Sequence, residues 1–112
     1  MSVFDRIEEA RRRQEETEVR GVPALERLVR VAHGNTGQSR DVRRFLLGLY
    51  NGYAWPFPLP ALRGLDRELQ ADAVAVLEMD MTPRVEVHQR IEHGTEVFET
   101  WADAEREREA SR

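Results

Sequence analysis

The 112-residue sequence contains no cysteine and no lysine. Without cysteine the chain has no disulfides or thiolate chemistry, which is typical of proteins from a reducing compartment. No apolar run approaches the ~18 residues of a membrane span, and the N-terminus lacks the apolar region of a signal peptide. We therefore expect a cytoplasmic protein that does not act on membranes.

The charge of the chain is unevenly distributed, and its 17 basic residues other than histidine are all arginine. Residues 1–63 carry 11 Arg against 8 acids, a net charge of +3, whereas residues 64–112 carry 6 Arg against 13 acids, a net charge of −7. An acidic half repels a phosphate backbone and attracts a basic groove. Direct binding to nucleic acid is therefore unfavourable, and the C-terminal half favours a basic partner.

Apolar residues recur at helical spacing in several segments, and no segment shows sustained alternation. This pattern predicts an all-α single-domain bundle of four to five short helices around a central loop rich in aromatic residues and proline. The predicted core comprises Leu25, Leu28, Val29, Phe45, Leu46, Leu49, Leu69, Val76, Leu77, Ile91 and Phe98.

Turn residues divide the chain into three predicted regions. Residues 1–20 form a helix with little to bury, which we expect to project or fray and to end at Gly21-Val22-Pro23. Residues 21–104 form the helical core domain. Residues 105–112 have no apolar partner, so we expect this charged tail to fray.

Two helix starts are predicted from capping residues. Ser39 suits the N-cap of a helix over residues 40–50, and Thr82-Pro83 suits the start of a helix that continues to Ile91.

The central segment Leu49–Pro60 concentrates aromatic residues and proline. Its aromatic rings carry too much apolar area to be left in water without a reason. One interpretation is that Tyr53, Trp55 and Phe57 fill the core between helices. The other is that they are an exposed anchor for a protein partner, since tyrosine and tryptophan dominate interface hot spots.

A basic patch on the predicted helix 40–50 raises the alternative of a small DNA-binding regulator. Its residues are Arg40, Arg43 and Arg44, and the preceding helix could complete a helix-turn-helix. The six-residue connection between the two helices is longer than the usual three or four, and the net negative charge also argues against DNA binding.

A second alternative is a small metal-dependent enzyme at His88 and Glu92, which lie four residues apart. A helical metal signature places two histidines at that spacing, whereas His88 and His93 are five apart and point in different directions. We therefore predict no metal, no cofactor and no catalytic residue.

Acidic residues follow one another along the C-terminal half and form a candidate partner-binding surface. They are Glu86, Glu92, Glu96, Glu99 and Asp103. Such a surface can occupy an arginine- and lysine-lined groove built for DNA or RNA. The competing interpretation is that these acids keep a small helical protein in solution.

Four short segments resemble a family of small uncharacterised proteins encoded on plasmids, integrative elements and phages of proteobacteria. The segments are Leu49–Tyr53, Leu62–Asp66, Ala75–Asp80 and Pro83–His88, and the resemblance spans residues 21–102. It implies an accessory gene of a mobile element, and products of such genes often regulate the element or block a host defence.

Together with the acidic half, this resemblance leads us to expect a non-enzymatic, protein-binding accessory protein. Its expected partner is a host nucleic-acid-binding defence complex, which it would inhibit in the manner of an anti-CRISPR protein. Self-association into a homodimer also stays open.

Overall fold

The computed structural model describes residues 2–112. These residues form a single all-α domain without strands, which confirms the predicted fold class. The four α-helices are α1 (Val3–Ala32), α2 (Gly37–Tyr50), α3 (Arg67–Met81) and α4 (Gly94–Ala110), and two short 3-10 helices cover Leu59–Gly64 and Val87–Arg90.

Helix α1 runs without interruption through Gly21 and Pro23, so the predicted break at residues 21–23 is wrong. A proline inside a helix costs about 3 kcal/mol relative to alanine. This cost is offset because Ala24, Leu25 and Leu28, in the turns that follow, are buried against the rest of the domain. Tertiary packing therefore outweighs the local helix-breaking signal.

Helix α1 packs most extensively against α3. The two helices are antiparallel, because Arg20 pairs with Glu78 and Arg27 pairs with Asp72. A Cβ atom at Gly21 would lie only 2.6 Å from the Sδ atom of Met79, so the missing side chain allows the two helices to approach closely. Beside this contact, Arg27 donates a bidentate pair of hydrogen bonds to the buried Asp72, the shorter at 2.8 Å. Helix α1 also packs on α2, and its C-terminal half therefore lies at the centre of the domain.

The N-terminal half of α1 extends beyond this core. Ser2 caps the helix by accepting from the backbone N–H of Asp5, and residues 3–13 are all exposed. The molecule measures 55 × 26 × 25 Å along its principal axes. The exposed first turns of α1 thus make an otherwise small domain elongated.

Helix α4 continues to Ala110, so the predicted fraying from residue 105 onward is wrong. Glu105 is buried on the inner face of α4 and accepts from the Nε and Nη2 atoms of Arg40 on α2, at 3.2 and 3.1 Å. An ion pair, rather than an apolar contact, holds this last part of the helix to the core.

Helix α2 begins three residues earlier than predicted, at Gly37 instead of Arg40. Thr36 is the N-cap and accepts from the backbone N–H of Ser39 at 3.0 Å, whereas Ser39 lies buried inside the first turn. The connection from α1 to α2 therefore consists of residues 33–36 and is shorter than the six residues expected.

The helix expected to start at Thr82-Pro83 does not form over residues 82–86. Only Val87–Arg90 are helical in this segment, as a short 3-10 helix. This segment is held by Glu18 of α1, which accepts from Arg84 and, at 3.0 Å, from Nη2 of Arg90. Burial raises the pKa of Glu18, but the hydrogen bonds and charges of the two arginines outweigh it, so the pKa is lowered overall. These long-range contacts replace a local helix.

The core confirms about half of the predicted residues as fully buried. Leu25, Leu28, Phe45, Leu46, Val76 and Phe98 are buried, whereas Val29, Leu49, Leu69, Leu77 and Ile91 are partly buried against them. Ten more residues are buried that the predicted core does not include: Ala24, Ala32, Val42, Leu47, Leu65, Ala73, Met79, Val87, Trp101 and Ala102.

Candidate functional site

The aromatic residues of the central loop divide between the two interpretations. Trp55 and Phe57 are half-buried against the core, and the Phe57 ring meets Phe45 edge-on with centroids 5.6 Å apart. Tyr53 is fully exposed. Two residues therefore fill the gap beside α2, and Tyr53 is the aromatic side chain of this loop that is free to meet a partner.

The three arginines of the basic patch all have contacts within the protein. Arg40 pairs with Glu105, and Arg43 donates from Nη1 to the carbonyl oxygens of Ala32 and Gly34 at 2.7 and 2.9 Å. Arg43 therefore caps the C-terminal end of α1, where the helix dipole favours a cation. Burial lowers the pKa of Arg43, whereas the hydrogen bonds that Arg40 donates to Glu105 raise the pKa of Arg40.

Arg44, the third arginine, lies between an acid and an aromatic ring. Its Nη1 atom is 3.5 Å from Oδ1 of Asp41, and its guanidinium carbon is 5.9 Å from the centroid of Phe57. The guanidinium groups of α2 thus already stabilise the fold, and a phosphate would have to compete with these contacts.

The acidic residues predicted to bind a partner are exposed. Glu96, Glu99 and Asp103 follow at intervals of three and four along α4 and share one side of that helix. Glu92 precedes the helix with a side chain that is 91% exposed, and its Oε1 atom lies 3.8 Å from Nε2 of His93. Together these four residues make an acidic strip.

Glu86 stands apart from the acidic strip. It is the N-cap of the second 3-10 helix, and its backbone N–H donates to Oε1 of Gln89 at 2.8 Å. It is exposed but belongs to the segment that Glu18 holds against α1.

One arginine joins the acidic strip to the aromatic loop. Arg106 donates from Nη1 to Oδ1 of Asp103 at 2.7 Å, and its guanidinium carbon lies 5.5 Å from the centroid of Trp55. This distance is within the range of a cation–π contact. The fold thereby brings together two groups of candidate partner-binding residues that are about 50 positions apart in the sequence.

The proposed metal pair has a different environment at each residue. The ring of His88 is half-buried and packs edge-on against Tyr50, with centroids 5.0 Å apart, and its Nδ1 atom is buried without a hydrogen-bond partner. Glu92 extends into solvent. Across residues 2–112, no cluster of three or more His, Cys, Asp or Glu side chains is arranged to hold a metal ion.

The model of the family of unknown function DUF7673 matches residues 22–106. The chain belongs to this family. No curated protein and no solved structure matches the chain. The resemblance to an uncharacterised family is thus confirmed, while the origin from a mobile element stays a prediction.

The DUF7673 match contains the acidic strip, the aromatic loop and Arg106 at its last position, and it begins inside α1. The exposed N-terminal turns of α1 are outside it. Within residues 2–112, no helix combines the length and the apolar composition needed to cross a bilayer, because α1, although long, is densely charged.

Sequence reasoning missed the buried charges of this DUF7673 protein. Glu105, the partner of Arg40, lies in the predicted frayed tail, and the pairing of Asp72 with Arg27 is not predicted from the sequence. The paired residues are 65 and 45 positions apart, so no local spacing could have indicated them.

A polar cavity of about 200 Å³ lies between α2, α4 and the aromatic loop. The ion pair Arg40–Glu105 forms one wall, and Arg44, Trp55 and Arg108 contribute others. The Nε atom of Arg108 is 4.0 Å from Oε1 of Glu105. Arg112 and Glu109 also line the cavity, so four arginines face two glutamates and the lining carries a net positive charge.

Proposed function

We propose that this DUF7673 protein is a non-enzymatic accessory protein of a mobile element that binds a host defence complex in the cytoplasm. The complex would be one that targets nucleic acid, as CRISPR effectors do, and binding would inhibit it. The observation that supports this proposal is the exposed acidic strip, which adjoins the half-buried Trp55 through Arg106. Tyr53, two residues before Trp55 in the same loop, is fully exposed.

The mechanism is competition for a basic groove. Carboxylates at intervals of three and four residues along α4 offer negative charge to arginine and lysine side chains that otherwise hold phosphates. Such charge steers the encounter and sets specificity, and an aromatic side chain at the edge of the strip supplies a hot-spot contact. This mechanism requires no catalysis by the protein, because inhibition follows from occupation of the groove alone.

Direct DNA binding is the less favoured candidate. Arg40 and Arg43 are occupied by Glu105 and by the carbonyl oxygens at the end of α1, and the release of either arginine would leave buried polar groups unpaired. The DNA-binding regulator therefore needs a loss of internal contacts that the protein-binding function does not need.

Inhibition of purified effector complexes tests the proposal. A panel of CRISPR effectors would cleave labelled target DNA in the presence of the wild-type protein or of E92R/E96R/E99R. We expect the wild type to block target cleavage by at least one effector and the triple variant to inhibit at least tenfold more weakly. Failure of the wild type to inhibit any effector would contradict the defence role.

A matched control separates the site from the overall charge. The variant E9R/E15R/E16R changes the net charge by the same amount on the exposed turns of α1, and we expect it to inhibit like the wild type. Equal loss in both variants would mean that net charge, rather than the acidic strip, is responsible. A gel shift of a labelled DNA duplex by the wild type at physiological salt would instead favour the DNA-binding regulator.

A further inference from the structure

Four arginines recur at intervals of seven residues along α1: Arg6, Arg13, Arg20 and Arg27. Residues seven apart lie on nearly the same side of a helix. The last two meet acids of α3: Arg20 Nη2 lies 3.3 Å from Oε2 of Glu78, and Arg27 Nη2 lies 2.8 Å from Oδ1 of Asp72. This row of arginines therefore marks one edge of the surface on which α3 sits.

A stripe of small and apolar residues runs beside the arginine row. In the C-terminal half of α1, Gly21 and Ala24 are buried in this stripe, where α3 packs. The residues fourteen positions earlier are Ile7 and Ala10, and the stripe continues to Val3. Ile7 is 49% exposed and Val3 is 68% exposed. The N-terminal half thus repeats the pattern on which α3 packs in the C-terminal half, but no other helix of the described residues covers it.

The structure explains why α3 does not cover this surface. Helix α3 ends at Met81 and the chain then turns away, with the carbonyl oxygen of Pro83 accepting from Nε2 of Gln14 at 3.5 Å. Residues 3–13 of α1 are all exposed, so no described part of the chain covers the line that α3 would follow. Neither Arg6 nor Arg13 forms an ion pair within the described residues.

We infer that the N-terminal half of α1, residues 3–14, docks an amphipathic helix of a partner protein. The partner helix lies antiparallel to α1 and in line with α3. Its apolar side covers Val3, Ile7 and Ala10, and its carboxylates pair with Arg6 and Arg13 as Glu78 and Asp72 pair with Arg20 and Arg27.

Charge complementarity selects an acidic partner helix over a second copy of the chain. In an antiparallel pair of identical helices, the same edge of each helix faces its counterpart. Two copies of this half of α1 would therefore set Arg6 of one chain near Arg13 of the other, and like charges in contact are unfavourable. The surface also lies before residue 22, where the family match begins, so it is additional to the acidic strip.

A peptide with the sequence of α3 is the probe for this surface. It consists of residues 67–81 with a fluorescent label, an outer-face lactam bridge that stabilises the helix, and the substitution Met79→Ala, because Ile7 leaves less room than Gly21. A shift of fourteen residues would place its Glu78 at Arg6 and its Asp72 at Arg13.

Fluorescence anisotropy with the full chain measures binding of this peptide. We expect saturable binding that weakens at least tenfold in R6E/R13E. The control R12E/R63E makes the same change in net charge. Arg12 is exposed on the opposite side of α1, and Arg63 is exposed in the first 3-10 helix. We therefore expect this control to bind the peptide like the wild type. A peptide carrying E78R and D72R should restore binding to R6E/R13E.

Four results would overturn the inference. Two are the absence of saturable binding and equal affinity of R6E/R13E and wild type. The third is a dimer in sedimentation equilibrium that I7E abolishes, because the surface would then belong to a second copy. The fourth is binding to anionic lipid vesicles, without peptide binding, that I7E abolishes. None of these results bears on the acidic strip, so failure here is distinguishable from failure of the proposed function.

Discussion

Gly94 begins α4 where the backbone passes over an earlier turn of the chain. A Cβ atom there would overlap the carbonyl oxygen of His88 and lie 2.7 Å from its carbonyl carbon. The preceding residue, His93, has a φ of 54°, in the left-handed region that few residues adopt. The start of α4, and with it the position of the acidic strip, therefore depends on the absence of a side chain at one residue.

We predict that G94A lowers the free energy of unfolding by about 3 kcal/mol or more, because the obstructing atoms are backbone and cannot move aside as a side chain would. Chemical denaturation followed by circular dichroism measures the change. The control is G37A in the first turn of α2, where a Cβ atom would meet nothing within 4 Å; it should be neutral or slightly stabilising. Equal stability of G94A and wild type would contradict this account of the helix start.

At the scale of elements, ion pairs with largely buried acids join segments that are remote along the chain. Glu105 joins α4 to α2, Asp72 joins α3 to α1, and Glu18 joins α1 to the segment before α4. Each of these acids has a side chain that is less than one fifth exposed. The order of the helices in space is therefore specified partly by charge.

Glu105 makes the stability of the α2–α4 contact dependent on pH. Burial raises its pKa, but the hydrogen bonds and charge of Arg40 outweigh this effect and hold the pKa below its ordinary value of 4.5. A lowered pKa in the folded state means that the stabilisation is complete above pH 4.5 and is lost as the pH falls through the folded-state pKa.

We predict that E105Q lowers the free energy of unfolding by about 1–3 kcal/mol at pH 7, since it removes a charged hydrogen-bond acceptor from a buried arginine contact. The difference from the wild type should shrink below pH 4.5. Denaturation at a series of pH values measures it, with E107Q at an exposed position of α4 as the control. A deficit that stays constant down to pH 3 would argue against the ion pair.

At the scale of the whole molecule, the exposed N-terminal half of α1 makes the protein elongated but adds little to the stability of the domain. Residues 3–13 bury nothing in the domain, whereas Thr17 is buried and Glu18 binds Arg84 and Arg90. The boundary between a dispensable and a required part of α1 therefore lies near Gln14.

We predict that deletion of residues 2–13 changes the free energy of unfolding by less than about 0.5 kcal/mol, as surface changes usually do. Deletion of residues 2–20 should cost about 3 kcal/mol or more, because it leaves the largely buried Arg90 without its carboxylate. Thermal and chemical denaturation of both truncated variants measures this contrast. A large loss from the shorter deletion would show that the exposed turns stabilise the domain.

The sequence-based predictions succeeded where local periodicity decides the structure and failed where contacts between remote segments decide it. Helix α2 was found because Phe45, Leu46 and Leu49 repeat on one face, and that periodicity survives in any fold that buries it. The break at Gly21–Pro23 was wrong because the propensities of these residues are local, and packing on α3 outweighed them. Of the candidate sites, the separate groups could be predicted, but not the Arg106 contact that joins them.

The sequence by itself determined the helical class of this protein, the uneven charge of its two halves and the identity of its acidic and aromatic residues. These properties depend on composition and on spacings of a few residues. Only the tertiary structure decided which charges are internal and which are free. Arg40 and Glu105 become a buried pair, while Arg6, Arg13 and Glu99 stay in solvent, because ion pairing depends on distances between segments that are remote along the chain.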